Sequence, residues 1–428
     1  MSTPFFDVVV VGAGIAGCCA ALASSKMGAR TLLVEKAQVP GGLSTLGLVQ
    51  PWMRYWLDEQ VLVKGWLGKI SHRLKERGGL EENCLDSEAL KLVLFEMLRE
   101  NGVQLWLDTT PVEVKRRSTA IHSVRFFHHH GAESLVQGNT FVDASGDGVL
   151  GTLAGAQLLS GDENGENQSC TLMFTLAGVD FAAIRKDVAQ NPDNFLGWVK
   201  PGMQLVSVGG YFREVEAERV QNGSFPHSVF FFVQLPGEGR VTVNTTHVDL
   251  QPLQTVSFSE GMGLAHRQVE QVLGFAKRRV KGFERAYLEK IAPVLGVRES
   301  RRLKGQVVFS GDDVRSMQHF PDGVVRGCYG IDVHPRGQKK FEVDRHAVPS
   351  YEMYYEIPFG SLLVEGFENF GVAGRCFSSD FEGQSAARIQ PTCAGMGQAI
   401  GIAAALSRGG PLSSVDVDQI RWELDKLE

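Results

Sequence analysis

Three glycines and one carboxylate carry the strongest chemical signal in this chain. Gly12, Gly14 and Gly17 follow the apolar run that ends at Val11, and Glu35 closes a second apolar run 23 residues beyond Gly12. Binding a pyrophosphate requires backbone that approaches without side chains and N–H donors aimed at the phosphates. Gly12 permits a tight turn, Gly14 lets the backbone come close, and Gly17 lets the next helix pack on a sheet. Ile15 and Ala16 open that helix, whose amino terminus would face the phosphates. Glu35, followed by Lys36, is placed to accept hydrogen bonds from a ribose 2′-hydroxyl. Within a complete strand–turn–helix–strand–acid unit, the pattern predicts a dinucleotide site.

Other elements must hold this constellation in place. The loop Pro40–Gly47, with Gly41, Gly42, Leu43 and Ser44, runs beside whatever the first unit binds. Residues 51–80 read as short helices and loop, 86–100 as a helix, and 103–107 as a strand. Strands are expected at 111–115, 120–127 and 140–144. The first two should form a hairpin inserted into the domain rather than continuing its parallel sheet. The third feeds into Ser145-Gly146-Asp147-Gly148. In the middle, strands at 171–177, 228–234 and 239–245 follow one another without crossover helices, which predicts a mixed or antiparallel sheet. A long helix is expected through 261–289 and loop over 191–204. A buried strand at 369–374 and a small-residue helix from Pro391 return to the first domain. The expected fold is therefore α/β: a Rossmann-like domain (1–155 and 351–428) split by a second α+β domain (156–350).

Size and composition set limits on function. A chain of 428 residues exceeds one small core, so two domains are expected. A net charge of −6 offers no general attraction to nucleic acid or an anionic membrane. With neither a basic leader nor a long apolar run, no signal peptide or membrane insertion is expected. Seven cysteines without a C-x-x-C pair suit a reduced, cytoplasmic setting. No metal site is expected; His128-His129-His130 reads as an exposed strand end.

Longer motifs add a resemblance. Val11–Gly17 with Glu35-Lys36, Pro40–Thr45, and Phe141-Val142-Asp143-Ala144-Ser145-Gly146-Asp147-Gly148 resemble segments of the FAD-dependent oxidoreductases of the glutathione-reductase-like superfamily. Gly296–Arg302, Ile331–His334, Ile357–Leu362, Val372–Ser378, Arg388–Cys393 and Gly397–Gly401 extend the likeness over most of the chain. The resemblance implies non-covalent FAD, with Gly374, Arg375, Pro391, Thr392, Gly395 and Met396 around the flavin end. Ser145 stands where relatives carry threonine. Gln390 stands where a hydrophobic residue is expected, and Gln384 where many relatives have a smaller one; both departures bear on the substrate side. A helix starting near Pro391-Thr392 either presents N–H groups to the negative charge of reduced flavin or is simply packed closely. Asp147 either caps a helix beginning near Gly148 or accepts a cofactor hydroxyl.

The candidate catalytic groups follow from what a flavin needs beside it. Arg298 and Arg388 can hold a substrate carboxylate, Arg54 can enter beneath the glycine loop, and His334 can transfer a proton. Each has a plain structural alternative: an ion pair, a satisfied backbone group, or a solvated loop. The expected activity is hydride transfer between flavin N5 and a small organic substrate, with a separate electron donor or acceptor as candidate partner. A flavin monooxygenase or oxidase, and a flavin-binding protein without turnover, are the alternatives.

Overall fold

The structure, a computed structural model, describes residues 3–337 and 353–427; the expected domain end at 338–350 lies outside them. Val8, Val9 and Val10 are wholly buried in β1 (Phe5–Val11), which leads through the glycine turn into α1 (Ile15–Lys26) and β2 (Thr31–Val34). A strand covered on both faces needs such an unbroken apolar run. Further strands are β3 (Gln104–Trp106), β4 (Thr109–Arg117), β5 (Ala120–His128), β6 (Glu133–Asp143) and β7 (Phe370–Val372). They form one seven-stranded sheet in the order β3-β2-β1-β6-β5-β4, with β7 also on β6. Strands β3, β2, β1, β6 and β7 pair in parallel. Their register sets Trp106, Val34, Val11, Asp143 and Val372 side by side. Glu35, Gly12, Ser145 and Gly374 therefore leave the sheet at one carboxyl-terminal edge, where open α/β sheets bind their ligands.

The hairpin corrects one expectation. β4 and β5 continue the same sheet, antiparallel to β6. The reason is length: β1 pairs with β6 only from Gln137 onward. On the opposite edge, β5 pairs with Glu133–Gln137 and β7 takes over at Phe141–Asp143. Both edges of β6 thus find backbone partners, as a buried strand requires.

The middle sheet is antiparallel throughout: Ser207–Gly210, Phe230–Gln234, Val241–Val243, Phe174–Ala177 and Tyr287–Ile291, in that spatial order. The long helix spans Thr255–Arg279, earlier than expected at both ends. Three basic residues complement its carboxyl terminus, and Gly282 at φ +88 turns the chain toward the last strand. There are two cores. One gathers buried side chains from Phe6 to Ala154 and from Leu303 to Leu427. The other takes Cys170 to Leu295, with Leu48 reaching in from the first domain. Among the described residues, the last one packed on the second core is Val297. Phe309 and the strand Gly323–Gly327 bond to Ser378 and to Tyr355–Pro358, which draws 303–331 into the first core.

A late helix, α2 (Gln390–Leu406), lies against α1. A Cβ at Gly397 or Gly401 would fall on the carbonyl oxygen of Ala16 or Ala20. Two glycines four residues apart thus let the helices touch backbone to backbone.

Candidate functional site

Each glycine of the first turn has a separate steric role. Gly12 has φ +100, and a Cβ there would sit 2.5 Å from the Ala144 carbonyl oxygen. A Cβ at Gly17 would fall on the Gly12 carbonyl oxygen, so the helix can meet the turn only as glycine. Gly14 differs: nothing lies within 4 Å of its missing side chain. The first helical bond is Cys18 N–H to the Gly14 carbonyl (2.9 Å), so the amides of Ile15, Ala16 and Gly17 have no intrahelical acceptor. No acidic residue stands in that first turn. Open space beside Gly14 and unopposed first-turn donors fit a diphosphate.

Glu35 is tied to the same turn. Its Oε2 accepts Ala13 N–H (2.6 Å) and its Oε1 accepts Ala37 N–H (2.9 Å). A carboxylate has about four lone-pair directions, so acceptor capacity for a ribose hydroxyl remains. Gly41 N–H donates to the Ala13 carbonyl (2.7 Å), which brings Gly41, Gly42, Leu43 and Ser44 alongside. At the other strand ends, buried Asp143 accepts the Ser145 hydroxyl (2.6 Å) and Gly151 N–H (3.0 Å). Ser145 Oγ in turn accepts Val149 N–H (3.1 Å), so the hydroxyl kept by this serine is used.

Asp147 is not a helix cap: Gly148 holds that position without any side-chain bond. Its carboxylate accepts the Ser300 hydroxyl (2.8 Å) and Arg375 Nη2 (3.3 Å), with Lys36 at 4.0 Å. Burial would raise its pKa, but Arg375 and Lys36 outweigh this and lower it. Arg375 crosses Gly146, whose Cβ would lie 2.6 Å from Nη2. Among the described residues, Arg375 Nη1 is buried without a hydrogen-bond partner. Gly374 sits against Ala16 at the start of α1.

Gln390 acts as a clasp. Its Oε1 accepts the Ser44 hydroxyl (2.6 Å) and Trp52 Nε1–H (3.0 Å), and its Nε2 donates to the Val49 carbonyl (2.6 Å). The first residue of α2, with Pro391 and Thr392 behind it, is thereby joined to the glycine loop. The expected substrate-side role gives way to a structural one, because all three polar partners need it. Further along α2, Gly395 admits the Val325 side chain and Met396 is wholly buried, so both positions serve packing.

The catalytic candidates converge only in the tertiary structure. Arg388 Nη2 donates to the Asp332 carbonyl (2.9 Å) and to Asp332 Oδ2 (3.1 Å). His334 Nε2 lies 3.2 Å from Asp332 Oδ1. The Tyr329 hydroxyl reaches Asp332 Oδ2 (3.3 Å). Arg298 Nη1 donates to the Ser169 carbonyl (2.7 Å), and Ser169 N–H donates to the His334 carbonyl (3.0 Å). Gln384 donates to the Arg298 carbonyl (3.0 Å), a use for the second departure. Arg54 lies apart from these contacts: its Nε donates to the Trp56 carbonyl (3.1 Å), near Cys328. Tyr329 and Ser169 were not among the candidates, and Asp332 stood only within the segment Ile331–His334. For Asp332 a signal existed, since residues two apart in extended chain share a side and His334 is two residues on.

Burial would raise Asp332, but the charges of His334, Arg388 and Arg298 hold its carboxyl well below the usual range. Burial, then the Arg298 charge, lowers His334 to about 4. Burial and the neighbouring His334, His247 and Arg298 lower His227 to about 3. Both imidazoles are neutral in the native protein at pH 7. Unfolded histidine titrates near 6.5, so the unfolded chain binds more protons as pH falls below that value. Stability is therefore complete above about pH 6.5 and declines toward pH 4, by up to about 1.4 kcal/mol per pH unit for each histidine. Urea midpoints measured across this range should fall, and His334→Gln should flatten the slope by roughly half. A midpoint that ignores pH there rules out buried neutral histidines.

Glycine turn, acid and clasp define a nucleotide-binding α/β protein with a polar cluster beside the start of α2. The chain belongs to the FAD-dependent oxidoreductase family, whose family model matches residues 7–424. FAD is the cofactor this membership assigns, and the open turn at Gly14 fits it. Among solved structures, a flavin-dependent brominase is similar at 11% identity and TM-score 0.51, covering 99% of this chain and 83% of that one. A geranylgeranyl bacteriochlorophyll reductase-like protein from Thermoplasma acidophilum is similar at 13% identity and TM-score 0.49, over 100% and 83% of the two chains. At such identities, likeness concerns the fold alone. No significant match is found among curated proteins. Among the described residues, no helix is long and apolar enough to cross a membrane, and no group of three or more His, Cys, Asp or Glu is arranged to hold a metal ion.

Proposed function

We propose that this protein transfers a hydride between bound FAD and a small organic substrate, with a separate electron donor or acceptor completing the cycle. The observation that carries this reading is the buried polar cluster of Arg298, Asp332, His334 and Arg388, in which Arg388 stands two residues before α2. Bound FAD supplies the two-electron chemistry. The residues of the chain do the rest. Gln390 fixes the start of α2 against the Ser44 loop and Trp52, closing one wall against water.

Asp332, ionised, lies 3.2 Å from His334 Nε2 and orients the imidazole. His334 is neutral at pH 7. With a pKa near 4 it is a weak base, so it takes a proton only from a group acidified in the same step. Arg298 and Arg388 orient the substrate.

Anaerobic mixing of FAD-loaded protein with candidate reductants tests the proposal through loss of the oxidised-flavin absorbance. At least one small organic compound should bleach the flavin, with slow recovery in air until an acceptor is supplied. Rapid recovery in air with peroxide formation or substrate oxygenation would replace this reading by an oxidase or monooxygenase. If neither substrates nor electron donors change the flavin, the protein binds FAD without turnover.

A further inference from the structure

Two guanidinium groups, Arg298 and Arg388, stand in a cluster that holds one carboxylate, Asp332. Asp332 is engaged by Arg388 through one oxygen and by His334 through the other. Arg298 is 9% exposed, and among the described residues its side chain donates only to a neutral acceptor, the Ser169 carbonyl. Neighbouring carboxylates are committed elsewhere: Glu299 to Arg302 (2.6 Å), Asp147 to Arg375 (3.3 Å). The Ser169 hydroxyl and Arg388 Nε are buried without hydrogen-bond partners among the described residues. Burial, then the Arg388 charge, lowers Arg298 to about 10, and the Asp332 charge offsets this only in part. A buried charge that is incompletely compensated is destabilising, and perturbed groups of this kind cluster at functional sites.

We propose that the substrate is a small carboxylate, its anionic end bound by Arg298 with Arg388. Arginine suits this task because its planar donors match both oxygens of a carboxylate. The neutral His334 then faces the uncharged remainder of the same molecule. The inference rests on the flavin-dependent turnover proposed above and adds the substrate class. One negative charge could instead come from the cofactor itself once reduced, so the test must separate the two sources.

FAD-loaded protein is titrated with acetate, propionate and malonate, and with the corresponding neutral amides, at constant ionic strength, following the flavin difference spectrum. At least one acid should give a saturable change, and no amide should. Arg298→Gln should weaken that binding about 30-fold or more, and Arg298→Lys should recover part of it. Acids and amides acting alike, or neither acting, overturns the proposal. So does unchanged acid binding in Arg298→Gln together with a lowered flavin reduction potential, since the guanidinium would then serve the cofactor. Should Arg298→Gln fail to retain FAD, the acid–amide comparison on the parent protein and Arg298→Lys still decides. Bleaching by uncharged substrates with no carboxylate effect retires this inference alone. Carboxylate binding without flavin reduction by any substrate retires the turnover reading instead.

Discussion

Gly17→Ala is expected to destabilise the apoprotein at the upper end of the overpacking range, about 3 kcal/mol or more, whereas Gly14→Ala keeps the apoprotein within about 1 kcal/mol and weakens FAD binding instead. The two glycines are three residues apart, yet their surroundings are opposite. A methyl group at Gly17 collides with the Gly12 carbonyl oxygen, which is fixed by β1 and cannot move without breaking the turn. The small helix-propensity gain of alanine does not offset that collision. At Gly14, φ is −64 and no heavy atom lies within 4 Å of the added carbon. Only a bound diphosphate would meet it. Losing one charge-assisted bond to a first-turn amide costs about 1.5–3 kcal/mol, or about 10–150-fold in affinity. Urea denaturation of the apoprotein and fluorescence titration with FAD measure the two quantities separately. If Gly14→Ala binds FAD as tightly as the parent, the diphosphate does not lie at this turn.

Glu299→Ala is expected to cost about 3–5 kcal/mol in folding stability. Glu299 is wholly buried and accepts Gly161 N–H (3.0 Å), Asn167 Nδ2 (2.5 Å) and Arg302 Nη1 (2.6 Å). Arg302 also donates to the Gly161 carbonyl (2.9 Å). Without the carboxylate, Arg302 remains a buried cation, since its side chain is only 4% exposed. The same bonds pin residues 160–167 to the segment that carries Arg298, so substrate affinity should fall with stability. A double variant, Glu299→Met with Arg302→Leu, should regain much of the stability, because removing both charges leaves neither unpaired. Equilibrium urea unfolding of the parent and both variants provides the comparison. A loss below about 1 kcal/mol for Glu299→Ala would mean that water reaches Arg302.

Local patterns were sufficient for the fold of the nucleotide half. The valine run, three glycines and Glu35 specify a turn whose geometry depends on residues within one βαβ unit, and the register of the sheet brings the other motifs to the same edge. Helix Ser87–Glu100 was also legible, with Asp86 accepting the Glu88 and Ala89 amides as its cap. The hairpin was harder: its place depended on the unpaired length of β6, which no local pattern in β4 or β5 reveals. Which core residues 303–331 join was not legible, because no local pattern in them favours one core over the other. Only their bonds to Ser378 and Tyr355–Pro358 assign them to the first.

Sequence by itself pointed to a dinucleotide-binding turn, because backbone clearance and helix-end donors are properties of consecutive residues. Only the tertiary structure decided that Arg298, Asp332, His334 and Arg388 form one cluster and that Gln390 closes a loop more than three hundred residues away. It also showed that Asp147 pairs with Arg375 instead of capping a helix. Ion pairs and buried hydrogen bonds depend on distance in space, and the chain brings these groups together only after both cores have formed.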